Sequence, residues 1–578
     1  MAFQVSPNVL VQERDVSLFV AQVSTTAGAF VGHFNWGPAE EYTTVDSEKT
    51  LYNTFGRPDD GNFKYWFTAA NFLAYGDNLR VVRSANTAGA KNATSGNTAA
   101  IIKNRDDWDL NWDVFATNNP QYGMFAGRYA GTLGNGIRVC MFANAGVGTA
   151  DAAWTSWEQA AQFDGPPGTS KYVQDRAGAN DEMHIVVLDT LGYFTGGIAN
   201  SVLEKYSHVS KASDAKNDDG SSNYYVNVIN QRSEYIYILN HAINANNVSD
   251  TSTWGRPAAN VTFAEGATNY TATLAGGSVG TPREADLINA YDMFDNVDAV
   301  DVSLLMTGAA SKTVAKHVVD KIAEDRRDLV AFVSPPMSAV VNNPGMEAAD
   351  VVSYAWDPVT GFNPSSYVVM DSGWKKQFDK YNNVYRWVPL NGDIAGLCAY
   401  TDRTRDPWWS PAGLNRGQIK NVVKMRYNPG KAARDNLYKN GVNPVVSFPG
   451  EGTVLYGDKT LQSKPSAFDR INVRRLFIVL EKAIATASKF TLFEFNDEFT
   501  RAQFKNLITP YLRDVQGRRG ITDFLVVCDN TNNTPQVIDS NQFVGDIYIK
   551  PARSINFIQL NFVAVATGVQ FSEVVGKF

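Results

Sequence analysis

One serine of this 578-residue chain lies in a pattern that could support nucleophilic catalysis. Residues 276–280 read Gly-Gly-Ser-Val-Gly, the G-x-S-x-G order of a nucleophile elbow, where the serine sits on a sharp turn between a strand and a helix. Thr281 and Pro282 separate Ser278 from the next predicted helix, and glycine-rich loops match this pattern easily. We therefore expect a loop here and no catalytic serine.

The remaining patterns point away from nucleotide and metal chemistry. The glycines of residues 131–136 do not follow the dinucleotide-binding order, and a turn before the strand at 137–139 explains them. The phosphate-binding sequence G-x-x-x-x-G-K-[ST] does not occur. We expect neither a metal nor another cofactor, because the five histidines never fall at metal-ligand spacing: His33, His184, His208, His241 and His317.

Composition and charge restrict the class of protein further. The chain is 44% hydrophobic and 19% charged, which suits several folded cores. No apolar run approaches the roughly 18 residues of a membrane span, and the first residues lack the features of a signal peptide. We expect Cys140, Cys398 and Cys528 to be buried free thiols of a protein made in a reducing cytosol.

The charge is distributed unevenly along the chain. The net charge of −7 argues against direct binding to nucleic acid. Residues 409–578 nevertheless contain 22 Lys and Arg against 14 Asp and Glu. This basic part could meet an acidic partner surface, or the charge could simply drift between domains.

The alternation of helix and strand patterns predicts an α/β fold in several domains. The middle of the chain, rich in Gly and Asn, predicts short strands. The predicted parts are an N-terminal arm (1–20), a central α/β domain (21–97 and 286–408), a β-rich insertion (98–285), a C-terminal α+β domain (409–565) and a C-terminal arm (566–578).

Several strands and helices that would position functional residues have clear signals in the sequence. In the central domain we predict strands at 28–32, 79–83 and 329–333, and helices at 46–55 and 65–75. Asp46 or Ser47 would cap the first helix, and Gly56 would end it.

The C-terminal domain has two predicted helices. One has Asn472 as a plausible cap and an apolar face between Leu476 and Ala487. The other helix has its apolar face between Phe504 and Val515. Pro510 lies inside this helix and should bend or break the helix. The predicted strands that follow are 523–528, 543–549 and 555–565.

Short segments of distinctive composition follow one another in a fixed order. In the N-terminal part they are FVG at 30–32, FNWGP at 34–38, NTFG at 53–56, LRVVR at 79–83 and YAGTLGN at 129–135. In the C-terminal part they are GVNP at 441–444, RINVRR at 470–475, VCD at 527–529, NNTP at 532–535 and PARSI at 551–555. In order and spacing these segments resemble the contractile tail sheath proteins of large contractile-tailed bacteriophages. Many members have Arg where this chain has Lys459, which would replace a bidentate group with a point charge.

The resemblance implies a structural subunit of the phage tail sheath without enzymatic activity. Such subunits stack as hexameric rings around a tail tube and contract to drive the tube through the host envelope for genome ejection. The implied partners are other copies of the chain, the tail tube protein, and baseplate and tail terminator proteins, with no direct contact to nucleic acid or membrane. The implied location is the virion, after assembly in the host cytoplasm.

The resemblance also implies which parts of the fold make contacts. It places the C-terminal α+β domain next to the tube, a subtilisin-like α/β domain in the centre and the β-rich insertion outside. Arms of neighbouring subunits add strands to the C-terminal domain, and the apolar ends of this chain fit such β-augmentation. The expected arm residues are Phe3, Val5, Val9, Val11, Val569, Phe571 and Val574.

Basic residues about the second C-terminal helix are the candidates for contact with the tube. They are Arg501, Lys505, Arg513, Arg518 and Arg519, and a solvated helix face is the alternative for each of them. Arg474 and Arg475 are expected to orient a helix of the same domain.

Two other functions stay open. One is the sheath of a phage-derived contractile injection system. The other, more remote, is a subtilisin-like hydrolase, which would need Asp, His and Ser in that chain order. The Gly-Thr-Ser at 168–170 lies before Asp189 and lacks the expected sequel.

Overall fold

The strands of the chain form one large parallel sheet and several small antiparallel ones. The computed structural model describes residues 23–117, 119–144, 147–239, 241, 253–265, 270–281, 283–556 and 558–559. In chain order the strands are β1 (Gly28–Gly32), β2 (Tyr42–Val45), β3 (Leu79–Arg83), β4 (Ala90–Lys91), β5 (Phe125–Gly127), β6 (Ile137–Phe142), β7 (Glu182–Asp189), β8 (Ser201–Ser210), β9 (Ile236–Ile238), β10 (Tyr270–Thr273), β11 (Ser278–Val279), β12 (Leu304–Met306), β13 (Val330–Val333), β14 (Val368–Asp371), β15 (Trp374–Asp379), β16 (Val384–Pro389), β17 (Lys424–Met425), β18 (Val442–Asn443), β19 (Val445–Phe448), β20 (Gly452–Leu455), β21 (Ile521–Val527) and β22 (Asp546–Pro551).

The helices range from single turns to two long helices near the end of the described chain. In chain order they are α1 (Glu48–Phe55), α2 (Phe63–Leu73), α3 (Arg105–Thr117), α4 (Asn119–Tyr122), α5 (Ala152–Thr155), α6 (Lys171–Gln174), α7 (Tyr225–Arg232), α8 (Glu284–Asp292), α9 (Lys312–His317), α10 (Glu324–Arg326), α11 (Met337–Val340), α12 (Glu347–Trp356), α13 (Asn391–Thr404), α14 (Lys431–Lys439), α15 (Ile471–Ser488), α16 (Glu498–Gly517) and α17 (Pro535–Asp539). None of the helices in the described ranges combines the length and the apolar character that crossing a membrane requires.

Contacts divide the described residues into two compact units. The larger unit lies within residues 21–487, and the smaller unit lies within residues 488–578. The domain limits expected from the sequence at 97, 285 and 408 fall inside the larger unit and stay a prediction.

The centre of the larger unit is a seven-stranded sheet in the order β18-β14-β13-β12-β1-β3-β2. All neighbours pair in parallel except β2, which is antiparallel to β3. Both faces are covered, since Phe30 of β1 belongs to one apolar core and Val31 to another. Burial on both faces explains why these strands are continuous apolar runs, and it confirms the α/β prediction.

Local signals at the helix ends agree with the structure. The Ser47 hydroxyl accepts a hydrogen bond from the Thr50 N–H at 3.2 Å and so caps α1, and Gly56 ends the helix with a φ of 77°. The predicted helix at 65–75 is α2, which begins two residues earlier than expected.

The residues between β3 and α8 contain the antiparallel sheets. Strands β10, β6, β7 and β8 form a four-stranded sheet in that order, and β5 pairs with β9. The β-rich insertion expected over residues 98–285 stays a prediction, since helices α3 to α7 lie among the same strands. A separate three-stranded sheet, β16-β15-β17, lies in the larger unit after the central strands.

The smaller unit consists of α16, α17 and the antiparallel pair β21 and β22. α16 packs on β21 and buries Phe504, Ile508, Leu512 and Val515, which confirms its predicted apolar face. Of the bend or break expected at Pro510, the break is wrong, because α16 continues through this residue. One missing N–H removes a single helical hydrogen bond, and the buried face holds the helix on both sides of it.

Two further predictions near the C-terminal helices need correction. Asn472 is not a cap, because the helix begins at Ile471, whose N–H donates to the Asp458 carbonyl at 2.8 Å. The Asn472 amide instead donates to the Trp408 carbonyl at 3.3 Å. The strand expected at 555–565 lies mostly outside the described residues, and the described ones among them are not in a strand.

Candidate assembly surfaces

The serine of the G-x-S-x-G pattern lies in strand β11 and not on a turn between a strand and a helix. Its hydroxyl donates to the Gly89 carbonyl at 2.6 Å. Gly276 and Gly280 have φ values of 78° and 73°, so both glycines serve the sharp turns on either side of the strand. The geometry of a nucleophile elbow is therefore not formed at Ser278.

The histidines that come together are held by backbone groups. The rings of His184 and His208 lie 4.5 Å apart between centroids. The His184 ring contacts the Gly165 carbonyl through Nε2 at 2.9 Å and accepts from the His208 N–H through Nδ1 at 3.1 Å. Burial lowers the pKa of His184 to about 4, so the ring is neutral. Within the described ranges, no group of three His, Cys, Asp or Glu side chains could hold a metal ion.

A buried polar network lies where the central parallel strands end, the usual place for a ligand site in α/β proteins. Asp371, the last residue of β14, accepts hydrogen bonds from the Ser334 hydroxyl at 2.6 Å and from the Gly373 N–H at 2.9 Å. Ser334 follows β13 and accepts from the Asn391 N–H at 3.0 Å. The Asn391 amide also donates to the carbonyl of Gly308, after β12, at 2.7 Å. The network thus joins three strand ends to the start of α13.

Burial without a cationic partner raises the pKa of Asp371 to about 8, so this carboxyl is protonated at neutral pH. A second buried group lies beside the network, where Lys375 Nζ is 2.8 Å from Asp393 Oδ1 and 2.9 Å from the Lys420 carbonyl. The Tyr75 hydroxyl donates to the same Asp393 oxygen at 3.2 Å. These side chains tie α13, β15 and the residues that follow α2 together. Sequence reasoning missed them because each pairs with residues far away in the chain.

Arg475 fastens α15 to the rest of the larger unit. Its guanidinium forms two hydrogen bonds to the Asp402 carboxylate, at 2.6 and 2.5 Å, and both side chains are almost fully buried. The same group donates to the carbonyls of Cys398 and Thr25, each at 3.3 Å. The bidentate pair therefore joins α15 to α13 and to the residues that lead into β1.

Arg474 anchors the same helix through a different surface. Its Nε donates to the Ser366 hydroxyl at 3.1 Å, and its guanidinium lies 4.2 Å from the centre of the Tyr367 ring and 4.0 Å from that of Phe468. The two arginines orient α15 from both sides, as the sequence led us to expect. The sequence contained no signal for Asp402 as a partner.

The five basic residues expected to face a tube do not share one environment. Arg501 is 6% exposed, and its guanidinium donates to the side-chain oxygens of Asn496 and Asn530, both at 2.9 Å. It therefore holds the start of α16 to the loop after β21. The other four are exposed: Lys505, Arg513, Arg518 and Arg519.

The sheet of the smaller unit exposes an apolar pair. Leu525 and Tyr548 lie opposite each other on β21 and β22 and are 57% and 59% exposed. In the described part of the chain, no third strand pairs with either of these two. Such an open edge with apolar side chains can accept an added strand. The arm residues expected to supply it lie outside the described residues: Phe3, Val5, Val9, Val11, Val569, Phe571 and Val574.

A further apolar surface has no role in the sequence prediction. Five side chains between α15 and the first turn of α16 are exposed: Phe490, Leu492, Phe493, Phe495 and Phe499. The signal that could have found it is the density of aromatic residues between two helices that already have complete apolar faces. Exposed apolar clusters of this kind are typical of surfaces that bind other proteins.

The chain matches the phage tail sheath protein central domain over residues 280–461 and the phage tail sheath C-terminal domain over residues 463–564. It is 36% identical to the tail sheath protein of Enterobacteria phage T4 and 34% identical to that of Vibrio phage KVP40, over 99% of each chain in both comparisons. The chain belongs to the phage tail sheath protein family, which confirms the resemblance found in the sequence.

A solved structure agrees on the fold. The crystal structure of a sheath tail protein from Listeria innocua aligns with 91% of this chain and 94% of its own, with a TM-score of 0.50 and 11% sequence identity. At this identity the likeness concerns the fold alone, and it supports the mixed α/β architecture.

Replacing Arg475 by Met should lower the free energy of unfolding of the larger unit by about 3–5 kcal/mol, because Asp402 would stay buried without its partner. Urea unfolding followed by tryptophan fluorescence measures this, since all twelve tryptophans lie between residues 36 and 409. The double variant Arg475→Met/Asp402→Leu should recover most of the loss. Equal stability of the single variant and the parent chain would contradict the anchoring role.

Asp371 should make stability depend on pH. Its folded pKa of about 8 lies above the unfolded value of about 3.9, so the folded chain binds the extra proton between these values. The free energy of unfolding should therefore fall as pH rises from about 4 to about 8. Asp371→Asn should flatten this slope in urea unfolding at several pH values, whereas Asp218→Asn in an exposed loop should keep it. An unchanged slope in Asp371→Asn would refute the assignment.

Proposed function

We propose that this chain polymerises with copies of itself into stacked hexameric rings around a tail tube. Contraction of this lattice would drive the tube through the host envelope for genome ejection. Its further partners would be baseplate and tail terminator proteins, and assembly would take place in the host cytoplasm before the virion is complete. Similarity to tail sheath proteins over nearly the whole chain supports the proposal. The proposal includes no catalysed reaction and no cofactor.

The observation that carries the proposal is the open sheet of the smaller unit. Two-stranded sheets are marginally stable by themselves, and α16 covers β21 without adding a strand. The exposed pair of Leu525 and Tyr548 would gain a cover if a strand from a neighbouring copy paired with β21 or β22. The arms at 1–20 and 566–578 have the apolar composition that such a strand needs.

Contraction in this proposal draws on packing free energy and not on nucleotide hydrolysis. The lattice would be bistable, with each larger unit moving as a rigid body and the arms acting as links between copies. The anchors of α15 support this view. A bidentate ion pair with both side chains buried cannot open without leaving a charge uncompensated, so motion would concentrate between copies.

The basic surface of the smaller unit is our candidate for contact with the tube. Lys505, Arg513, Arg518 and Arg519 are exposed on or just beyond α16, and Arg518 lies 3.5 Å from Asp514. An acidic tube surface would attract this group. Arg501 would contribute by fixing the start of α16 and not by direct contact.

Deletion of residues 1–15 or of residues 568–578 should abolish sheath formation and leave a folded monomer. Each deletion removes a strand that would pair with a neighbour, and neither removes a described residue of the cores. Negative-stain electron microscopy and analytical ultracentrifugation measure the outcome, with circular dichroism as the check on folding. Tubes of normal length from either deletion would refute the role of the arms.

Reversing the charge of Arg518 and Arg519 to Glu should weaken assembly of the sheath on tubes by roughly tenfold or more at low salt. It should also reduce the dependence of assembly on salt, because fewer favourable charge pairs are left to screen. Co-sedimentation with purified tubes at several salt concentrations measures both effects. The matched control is Lys431→Glu/Lys439→Glu on α14, which has the same charge change on the larger unit. Equal loss in the two variants would argue against a specific tube surface.

A further inference from the structure

Lys375 and Asp393 form the most deeply buried lysine–carboxylate pair of the described residues. Their side chains are 0% and 1% exposed, and Lys375 Nζ lies 2.8 Å from Asp393 Oδ1. The next most buried pair in the same ranges, Lys482 and Asp328, is 14% and 12% exposed at a distance of 3.3 Å. Within the described part of the chain, a lysine and a carboxylate are therefore shut away from water together at this one place.

The neighbours of Lys375 in its sheet are apolar. Lys375 lies opposite Val388 of β16 and Met425 of β17, so the three side chains share one face of the sheet. Val388 and Met425 are buried as well. Burial raises the pKa of Asp393 and lowers the pKa of Lys375, in both cases against the attraction between their charges. Compared with water, the site therefore favours a neutral amine beside a neutral carboxyl, which a proton shift within the pair provides.

Hydrogen bonds orient both groups. The Tyr75 hydroxyl donates to Asp393 Oδ1 at 3.2 Å and accepts from the Lys420 N–H at 2.6 Å. Lys375 Nζ also donates to the Lys420 carbonyl at 2.9 Å. Asp393 Oδ2, by contrast, has no hydrogen-bond partner among the described residues. Oδ1 is thus placed as a carbonyl oxygen polarised by two donors, and Oδ2 as a hydroxyl that no described residue holds.

An amine in this position can attack the carboxyl carbon. A lysine amine removed from water is a nucleophile, and the fold holds it in contact with its acceptor, which removes most of the entropic cost of the encounter. The Tyr75 hydroxyl is placed to stabilise the negative charge that develops on Oδ1 in a tetrahedral intermediate. The amide product would keep one N–H, which the Lys420 carbonyl can accept.

We propose that Lys375 and Asp393 condense into an isopeptide bond inside the folded chain. The lone pair of Nζ attacks Cγ of Asp393, the Nζ–Cγ bond forms, and the Cγ–Oδ2 bond breaks. Oδ2 keeps its own proton, takes a second one from Nζ and leaves as water. No group is oxidised or reduced, and no co-reactant is required. The step takes place once in each chain, so it is a self-modification without turnover.

The bond changes what holds β15 to α13. It closes a covalent ring through residues 375–393 and replaces two buried charges by a neutral amide, which removes the cost of keeping those charges out of water. An ion pair can separate when the fold is loaded, whereas an amide bond cannot. The inference goes beyond the assembly proposed above, because it concerns chemistry within one chain and holds whether or not copies polymerise.

Intact-mass spectrometry of the full chain under denaturing conditions tests the bond. The linked parent chain should weigh about 18 Da less than its sequence predicts, the mass of one water. Lys375→Met should show no such deficit against its own sequence mass, because the nucleophile is gone. The matched control is Lys482→Met, which removes the lysine of the more exposed pair with Asp328 and should keep the deficit.

Asp393→Asn separates bond formation from ion pairing. The amide of this variant can react with Lys375 by loss of ammonia, about 17 Da, and the product is chemically identical to the linked parent chain. We therefore expect the variant and the parent chain to reach the same final mass, although the variant cannot form the ion pair.

Peptide mapping locates the link. Trypsin cuts after Arg386 and Arg403 and so releases residues 387–403, which contain Asp393. In the linked chain this peptide should be absent in its free form and be found joined to the peptide that contains Lys375. Loss of water by succinimide formation at the Asp-Gly sequences of residues 60–61 or 219–220 would leave the 387–403 peptide free.

Two results would overturn the proposal. A parent chain with its full sequence mass and a free 387–403 peptide would show that the two side chains stay an ion pair. A deficit that persists in Lys375→Met would assign the lost water to another site. The measurement on the parent chain decides the question even where a variant fails to fold, because it needs no substitution.

Discussion

The buried ion pair of Arg475 and Asp402 is the constraint on which the organisation of the larger unit depends. An arginine removed from water needs a partner that satisfies its fork of donors, and a bidentate carboxylate does so with little freedom of position. Asp402 belongs to α13, which packs on α2 and on the central strands. Arg475 also donates a hydrogen bond to the Thr25 carbonyl, which connects the residues before β1 to the same side chain. The Arg475 side chain thus fixes the position of α15 against α13 and the residues before β1.

A buried polar network lies at the carboxyl ends of β12, β13 and β14, the position where many α/β proteins bind ligands. Here the Asp371 carboxyl, the Ser334 hydroxyl and the Asn391 amide bond to one another and to backbone groups. All three are buried, so their polar groups hold β12, β13 and β14 against α13. The same fold can serve different functions, so the function of this chain must be argued from its particular surfaces.

The fold could be predicted where the controlling interactions are local. Strands buried on both faces are continuous apolar runs, so β1 and β3 were predicted with their correct bounds, and Ser47 and Gly56 marked both ends of α1. The anchors could not be predicted, because Arg475 and Asp402 are 73 residues apart and neither lies in a distinctive pattern. Two local rules also failed where tertiary packing outweighed them. A buried face carries α16 through Pro510, and a bond from the Ile471 N–H to a distant carbonyl starts α15 before Asn472. The surfaces were only partly foreseen, since exposure depends on which faces the rest of the chain covers.

A chain that assembles with copies of itself keeps apolar surface exposed until another copy covers that surface. The same exposed surface can cause uncontrolled aggregation. Its sequence limits that risk through charge. Glu494, Asp497 and Glu498 interrupt the aromatic segment, and acidic side chains next to apolar residues oppose random association. Apolar area would therefore supply the free energy of association, and charge would select the geometry in which this free energy becomes available.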